Sequence, residues 1–152
     1  MYVFLPSTIP ALARLLEEGR LEGAPLTAFA ADPGPGEDAE EAEYEAMYTA
    51  AEESLTLLAA DPDAPRRRVV LAANMPDHVV ERAGRTGEGV VRVRVTGAVP
   101  YKKLASAHVD DDAAAGDVAE AVRDRASGAA EEHELMWFAV QELRHLVREA
   151  GA

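Results

Sequence analysis

His108, Asp110, Asp111 and Asp112 lie together in the stretch "AHVDDDAAAGD". An imidazole beside hard carboxylate oxygens suits Mg²⁺ or Mn²⁺, or a general base acting on a bound substrate. The same residues also suit a structural role. Val109 ends an apolar run, and Asp111 or Asp112 can cap the alanine-rich helix that follows, with a neighbouring carboxylate complementing its dipole. Strand alternation places His108 and Asp110 on one face and Val109 on the other. The capping reading is the simpler one. The ligand reading depends on topology: if the strands are mostly parallel, Ser7, Thr8, Asp32, Asn74 and His108 to Asp112 share the carboxyl-end rim where open α/β sheets bind ligands. On that reading His108 is base or metal ligand, Asp110 and Asp111 are metal ligands, and Ser7, Thr8 and Asn74 contact substrate.

Other chemistry is poorly represented. Glu142 and His145 have the E-x-x-H spacing of di-iron bundles, but such sites need two motifs and further helical glutamates, and only one is present. The turn "PSTIP" has neither the glycine cradle nor the lysine of a phosphate-binding loop. The prolines of "DPGPG" remove N–H donors. No G-x-S-x-G exposes a serine nucleophile. The chain has no cysteine, which removes disulfides, thiolate ligands and a thiol nucleophile together. No cofactor is expected, and these absences favour a non-enzymatic role.

The elements that would position these residues follow from periodicity. Tyr2 to Leu5 reads as a strand. Ser7 or Thr8 caps a helix with Pro10 in its first turn and an apolar face of Ile9, Leu12, Leu15 and Leu16, ended by Gly19. "LTAFA" (26–30) is a second strand. Glu37 to Ala60 is the best-patterned helix: Tyr44, Met47, Tyr48, Ala51, Leu55 and Leu58 share a face, and acidic residues including Glu40 and Glu41 gather at its start. Val69 to Ala73 is a third strand, preceded by Arg66, Arg67 and Arg68, read as guards against strand aggregation. In Val90 to Val95 the arginines alternate with valines, so one face is wet. Residues 100–104 read as a helical turn and Ala105 to Val109 as a fifth strand. Two helices, roughly 113–125 and 132–148, finish the chain. Loops are expected at 31–37 and 77–89.

The order of elements predicts a single globular α/β domain over residues 1–152, bordering on α+β. Its mixed sheet has about five short strands and about four helices, and its first strands run parallel. Hydrophobic residues make up 48% of the 152 and aromatics 5%, so the core is built from Ala, Val and Leu. A formal net charge of −13 repels nucleic-acid phosphates and anionic lipid. The start "MYVFLPST" lacks a signal peptide's basic region, and no apolar run reaches membrane-spanning length. The expectation is a cytoplasmic protein that binds neither nucleic acid nor membrane. Its partner would be another protein or a second copy, through the acidic helix start (Glu40, Glu41) or through Trp137 and Phe138 on the broad apolar face of the last helix. Lys102 and Lys103 are the only lysines among 15 basic residues, a bias that fits a GC-rich bacterial gene.

The stretches "VFLPSTIPALARLL", "RRVVLAANMP", "VPYKKLASAHVDD" and "ELMWFAVQEL", taken in order, span nearly the whole chain. In them it resembles an uncharacterised family of small actinobacterial proteins. The resemblance implies a bacterial cytoplasmic protein of unassigned function and carries over no catalytic residues.

Overall fold

Two strands are apolar on both faces, and they take the middle of the sheet. In the computed structural model, which describes residues 1–23 and 25–151, β1 (Tyr2–Ser7) buries Val3, Phe4 and Leu5, and β4 (Val69–Asn74) buries every residue from Val69 to Ala73. A strand needs side chains of this kind on both faces only where layers cover both. The other strands are β3 (Leu26–Ala31), β5 (Val80–Gly87), β6 (Val90–Val95), β8 (Leu104–Val109) and β9 (Met136–Ala139). They complete a seven-stranded sheet of order β5-β6-β3-β1-β4-β8-β9. The short strands β2 (Arg20–Leu21) and β7 (Val99–Pro100) pair separately.

Helices cover both faces. On one side α1 (Ile9–Glu18) and α4 (Leu143–Glu149) pack on Val3, Leu5, Leu71, Val93 and Val109. On the other, α2 (Ala39–Ala60) lays Ala46, Met47, Ala50 and Ala51 on Phe4, Phe29, Val70 and Ala72. The C-terminal part of α2 also packs with α3 (Ala115–Arg123). The caps follow local chemistry. Thr8 Oγ1 accepts from the Ala11 N–H at 3.2 Å, and Asp38 accepts from the N–H groups of Glu40 and Glu41. Gly19 ends α1 at φ 79°, a left-handed conformation that glycine adopts without a Cβ clash. Arg92 and Arg94 are exposed while Val91, Val93 and Val95 are buried, as the alternation predicts.

The chain is an α/β protein with four helices, and its sheet is larger than expected. Three expectations need correction. First, every neighbouring pair in the seven-stranded sheet is antiparallel, so the first strands are not parallel neighbours. A lone helix between β1 and β3 would return the chain to run parallel. Strand β2, held on β7, adds one more reversal. Strands β3 and β4 do run the same way, but β1 lies between them. Second, the expected loop at 77–89 contains β5, which pairs with β6 through two register shifts. Third, the expected helix over 132–148 is β9 followed by a single 3-10 turn and the short α4.

Candidate functional site

Strand β8 carries His108 opposite Val70 of β4 and Trp137 of β9. Opposed residues of an antiparallel pair share a face, so His108 and Trp137 lie on the α2 side. The imidazole Nε2 is 3.5 Å from Ser106 Oγ, and its ring meets Phe4 edge-on at 6.4 Å between centroids. Burial pushes the His108 pKa below its usual value, because the charged form would lose hydration without gaining a partner. Tyr48 reaches over from α2, and its hydroxyl accepts from the Leu135 N–H at 3.1 Å just before β9 begins. Burial pushes that hydroxyl's pKa up.

The aspartates after β8 diverge. Asp110 is 0% exposed. Its Oδ2 accepts from the Arg68 backbone N–H and Nε, each at 2.8 Å, and its Oδ1 accepts from Arg68 Nη2 at 2.9 Å. Arg67 Nε donates to the Asp110 carbonyl at 2.7 Å, and Arg68 Nη2 also donates to the His133 carbonyl at 3.0 Å. This two-pronged contact occupies both carboxylate oxygens. Asp111 accepts from the Ala114 N–H at 3.1 Å and caps the turn leading into α3. Asp112 faces solvent, 3.8 Å from Arg67 Nη1. Among the described residues, no group of three or more His, Asp or Glu side chains is placed to hold a metal ion.

The shared rim does not form as drawn from sequence. Ser7 opposes Val69, and Val69 opposes Val109, so Ser7, Thr8 and the start of the aspartate run lie at one end of the sheet. Asn74 opposes Tyr2 at the other end, roughly 17 Å away along β4. Asp32 follows Ala31 at that same far end, where it accepts from Arg82 and Arg85 at 2.9 Å. The antiparallel topology is the reason: β1 and β8 finish at one end, β3 and β4 at the other. The rim residues that remain together serve the fold. Ser7 contributes its carbonyl to Ser54 Oγ at 2.8 Å, and Ser54 Oγ accepts from the Val69 N–H at 3.2 Å.

Other candidates also find local partners. Arg66 donates to the carbonyls of Leu58, Asp61 and Pro62, satisfying the end of α2. The arginine triplet is therefore an anchor rather than a guard. The antiparallel pairing of β4 with β8 sets Arg68, just before one strand, beside Asp110, just after the other, a proximity that local sequence does not encode. His133 lies 2.6 Å from Asp117, and exposed His145 lies 3.4 Å from Glu149. Glu142 accepts from the Ala139 N–H at 2.8 Å. Glu40 and Glu41 are exposed in the first turn of α2. Nearby, Glu37, Asp38, Glu41, Glu45 and Glu88 line an open cleft of about 490 Å³.

Strand β9 forms one edge of the sheet, and here the surface departs from the rest of the molecule. Trp137 is 62% exposed and Met136 42%, whereas Phe138 packs partly into the α1/α4 core. The Ala139 N–H reaches the Glu142 carboxylate on the side away from β8. Strand periodicity of two then directs the N–H and C=O of Trp137 outward as well.

A profile of a family of unknown function (DUF6912) matches residues 1–147. The chain belongs to that family. No curated protein and no solved structure matches it. No helix among the described residues is long and apolar enough to cross a membrane.

Proposed function

We propose that this protein is a non-enzymatic, cytoplasmic interaction module whose contact surface is the β9 edge, and that its first partner is a second copy of itself. The supporting observation is the exposure of Trp137 and Met136 on a strand that ends the sheet, with the Ala139 N–H the one outward group the structure ties down, to Glu142. Large exposed apolar side chains on one strand mark a contact surface, and tryptophan is among the residue types that dominate interface energies. A two-fold axis through Trp137 makes it oppose its symmetry mate as a hydrogen-bonded pair, exchanging both N–H···O bonds.

The opposite edge is built differently. Strand β5 is broken by register shifts at Arg82/Gly84 and Arg85/Gly87 and carries Glu81, Arg82 and Arg85. Bulges and charges of this kind discourage edge-to-edge pairing. Strand β9 has no register shift, and its one charged neighbour, Glu142, covers only the Ala139 N–H at the end of its four residues. Pairing over so short a strand falls below the roughly 800 Å² per partner of a standard interface, so the dimer is expected to be weak and concentration-dependent.

The competing reading, a metal- or ligand-binding enzyme at His108 to Asp112, has no observation in its favour, since Asp110 is engaged by Arg68 and Asp111 by the Ala114 N–H. Sedimentation velocity over a concentration series tests the proposal. A reversible monomer–dimer equilibrium that Trp137→Glu abolishes without lowering the melting temperature supports it. A monomer at every attainable concentration contradicts it.

A further inference from the structure

The α2 side of the sheet is only partly covered, and beyond the helix lies a second cleft. It has a volume of about 430 Å³, within the range of small-molecule sites. Pro6, Thr27 and Arg92 line it from β1, β3 and β6, Glu53 and Leu57 from α2, and Leu26 from the start of β3. The register Phe4↔Phe29 sets Pro6 level with Thr27, and Phe29↔Arg92 sets the arginine one step along the same face. Glu53 and Leu57 are four residues apart and so project from the same side of the helix.

The two charged groups in this cleft are the informative ones. The Arg92 guanidinium sits 5.7 Å over the Phe29 ring, a cation–π contact that orients it while, among the described residues, it donates no hydrogen bond. Among the described residues it makes no ion pair, and neither does Glu53. Their neighbours do: Glu52 pairs with Arg125 at 3.8 Å, and Arg94 reaches Glu81 at 4.0 Å. What sets Arg92 apart is its place in a cleft with Glu53, a carboxylate that likewise has no ion pair among the described residues. Arg92 and Glu53 share one cleft without reaching each other, and apolar surface beside them is supplied by Pro6 and Leu57, the latter 40% exposed.

We infer that this cleft binds a small zwitterion with an apolar side chain, of the free aliphatic α-amino acid class. The ligand carboxylate takes the planar fork of Arg92, which matches it with two parallel hydrogen bonds. The ligand ammonium faces the Glu53 carboxylate, and the side chain covers Leu57 and Pro6. A ligand lacking either charge leaves Arg92 or Glu53 desolvated without compensation. The site is remote from the β9 edge and independent of whether the protein dimerises.

The test is a titration of the ¹⁵N-labelled protein with L-leucine, followed by amide shifts, alongside N-acetyl-L-leucine and L-leucinamide. Saturable shifts at Thr27, Glu53, Leu57 and Arg92 are expected with leucine. Binding should weaken by about tenfold or more for each derivative, the scale of one charge-assisted hydrogen bond. Arg92→Ala and Glu53→Gln should each reduce leucine affinity to a similar degree at an unchanged melting temperature. Arg92→Lys should restore only part of it, since lysine keeps the charge but not the fork. Absence of saturable shifts with leucine overturns the inference. So does equal binding of the three compounds, or unaltered leucine binding by Arg92→Ala.

Discussion

Arg68 and Asp110 meet through two side-chain hydrogen bonds of 2.8 and 2.9 Å where neither is open to solvent. Burying both charges is costly, and the geometry offsets that cost only while both are present. Asp110→Ala should therefore destabilise the protein by about 3–5 kcal/mol, read as a lower urea midpoint at unchanged slope. Replacing both residues with leucine and methionine should recover much of the loss; an equal or larger loss in the double variant would contradict this account of the pair. His108 behaves in the opposite sense. Its pKa is lowered in the fold, so the unfolded chain binds the proton more readily. Its contribution to stability is present above the unfolded value of about 6.5 and is lost as pH falls through the window below it. His108→Phe should flatten that slope in urea melts across the window, and an unchanged slope would assign the pH dependence elsewhere. At this scale the cap on Asp111 was legible in the sequence, because the chemistry is local. The Arg68 partner was not, because it lies 42 residues away across a strand pairing.

Strand β9 and helix α4 are the elements the sequence described least well. An apolar stripe of Met136, Val140, Leu143 and Val147 has helical spacing, and from Leu143 onward it does face the core. Before that point the exposed edge of β8 offers backbone hydrogen bonds to any extended segment, and Met136 to Ala139 take them. Tertiary pairing outweighed local period. Glu142 marks the change: its side chain holds the Ala139 N–H as the chain turns from strand to helix. Glu142→Ala should cost about 1 kcal/mol of stability, the scale of a lost helix cap, and Tyr48→Phe a similar amount through the Leu135 N–H. Thermal melts of both variants check this, and no shift in either would mean that the β9 ends are held by other contacts. Strand β5 was equally hidden, since "VERAGRTG" is charged and glycine-rich and lacks alternation. By contrast β6 was plain, because its valines and arginines alternate without interruption and each faces where its polarity requires.

For the whole molecule, two quantities oppose each other. An exposed tryptophan on an edge strand favours association, while a net charge of −13 drives copies apart. Salt screens the repulsion, with a Debye length of about 10 Å at 0.1 M, and leaves apolar contact intact. Self-association through β9 should therefore tighten as NaCl is raised; a dimer that loosens with salt would point to an ion-paired interface elsewhere. The antiparallel order of the sheet is what brings this surface about, since it ends the sheet on β9, and strand order was not readable from the sequence. Sedimentation velocity of the wild type and Trp137→Glu over a concentration series is the most direct measurement. The proposed reading expects a reversible dimer in the wild type and a monomer of equal thermal stability in the variant. A wild type that stays monomeric, or a dimer untouched by the substitution, would contradict the β9 edge as its contact surface.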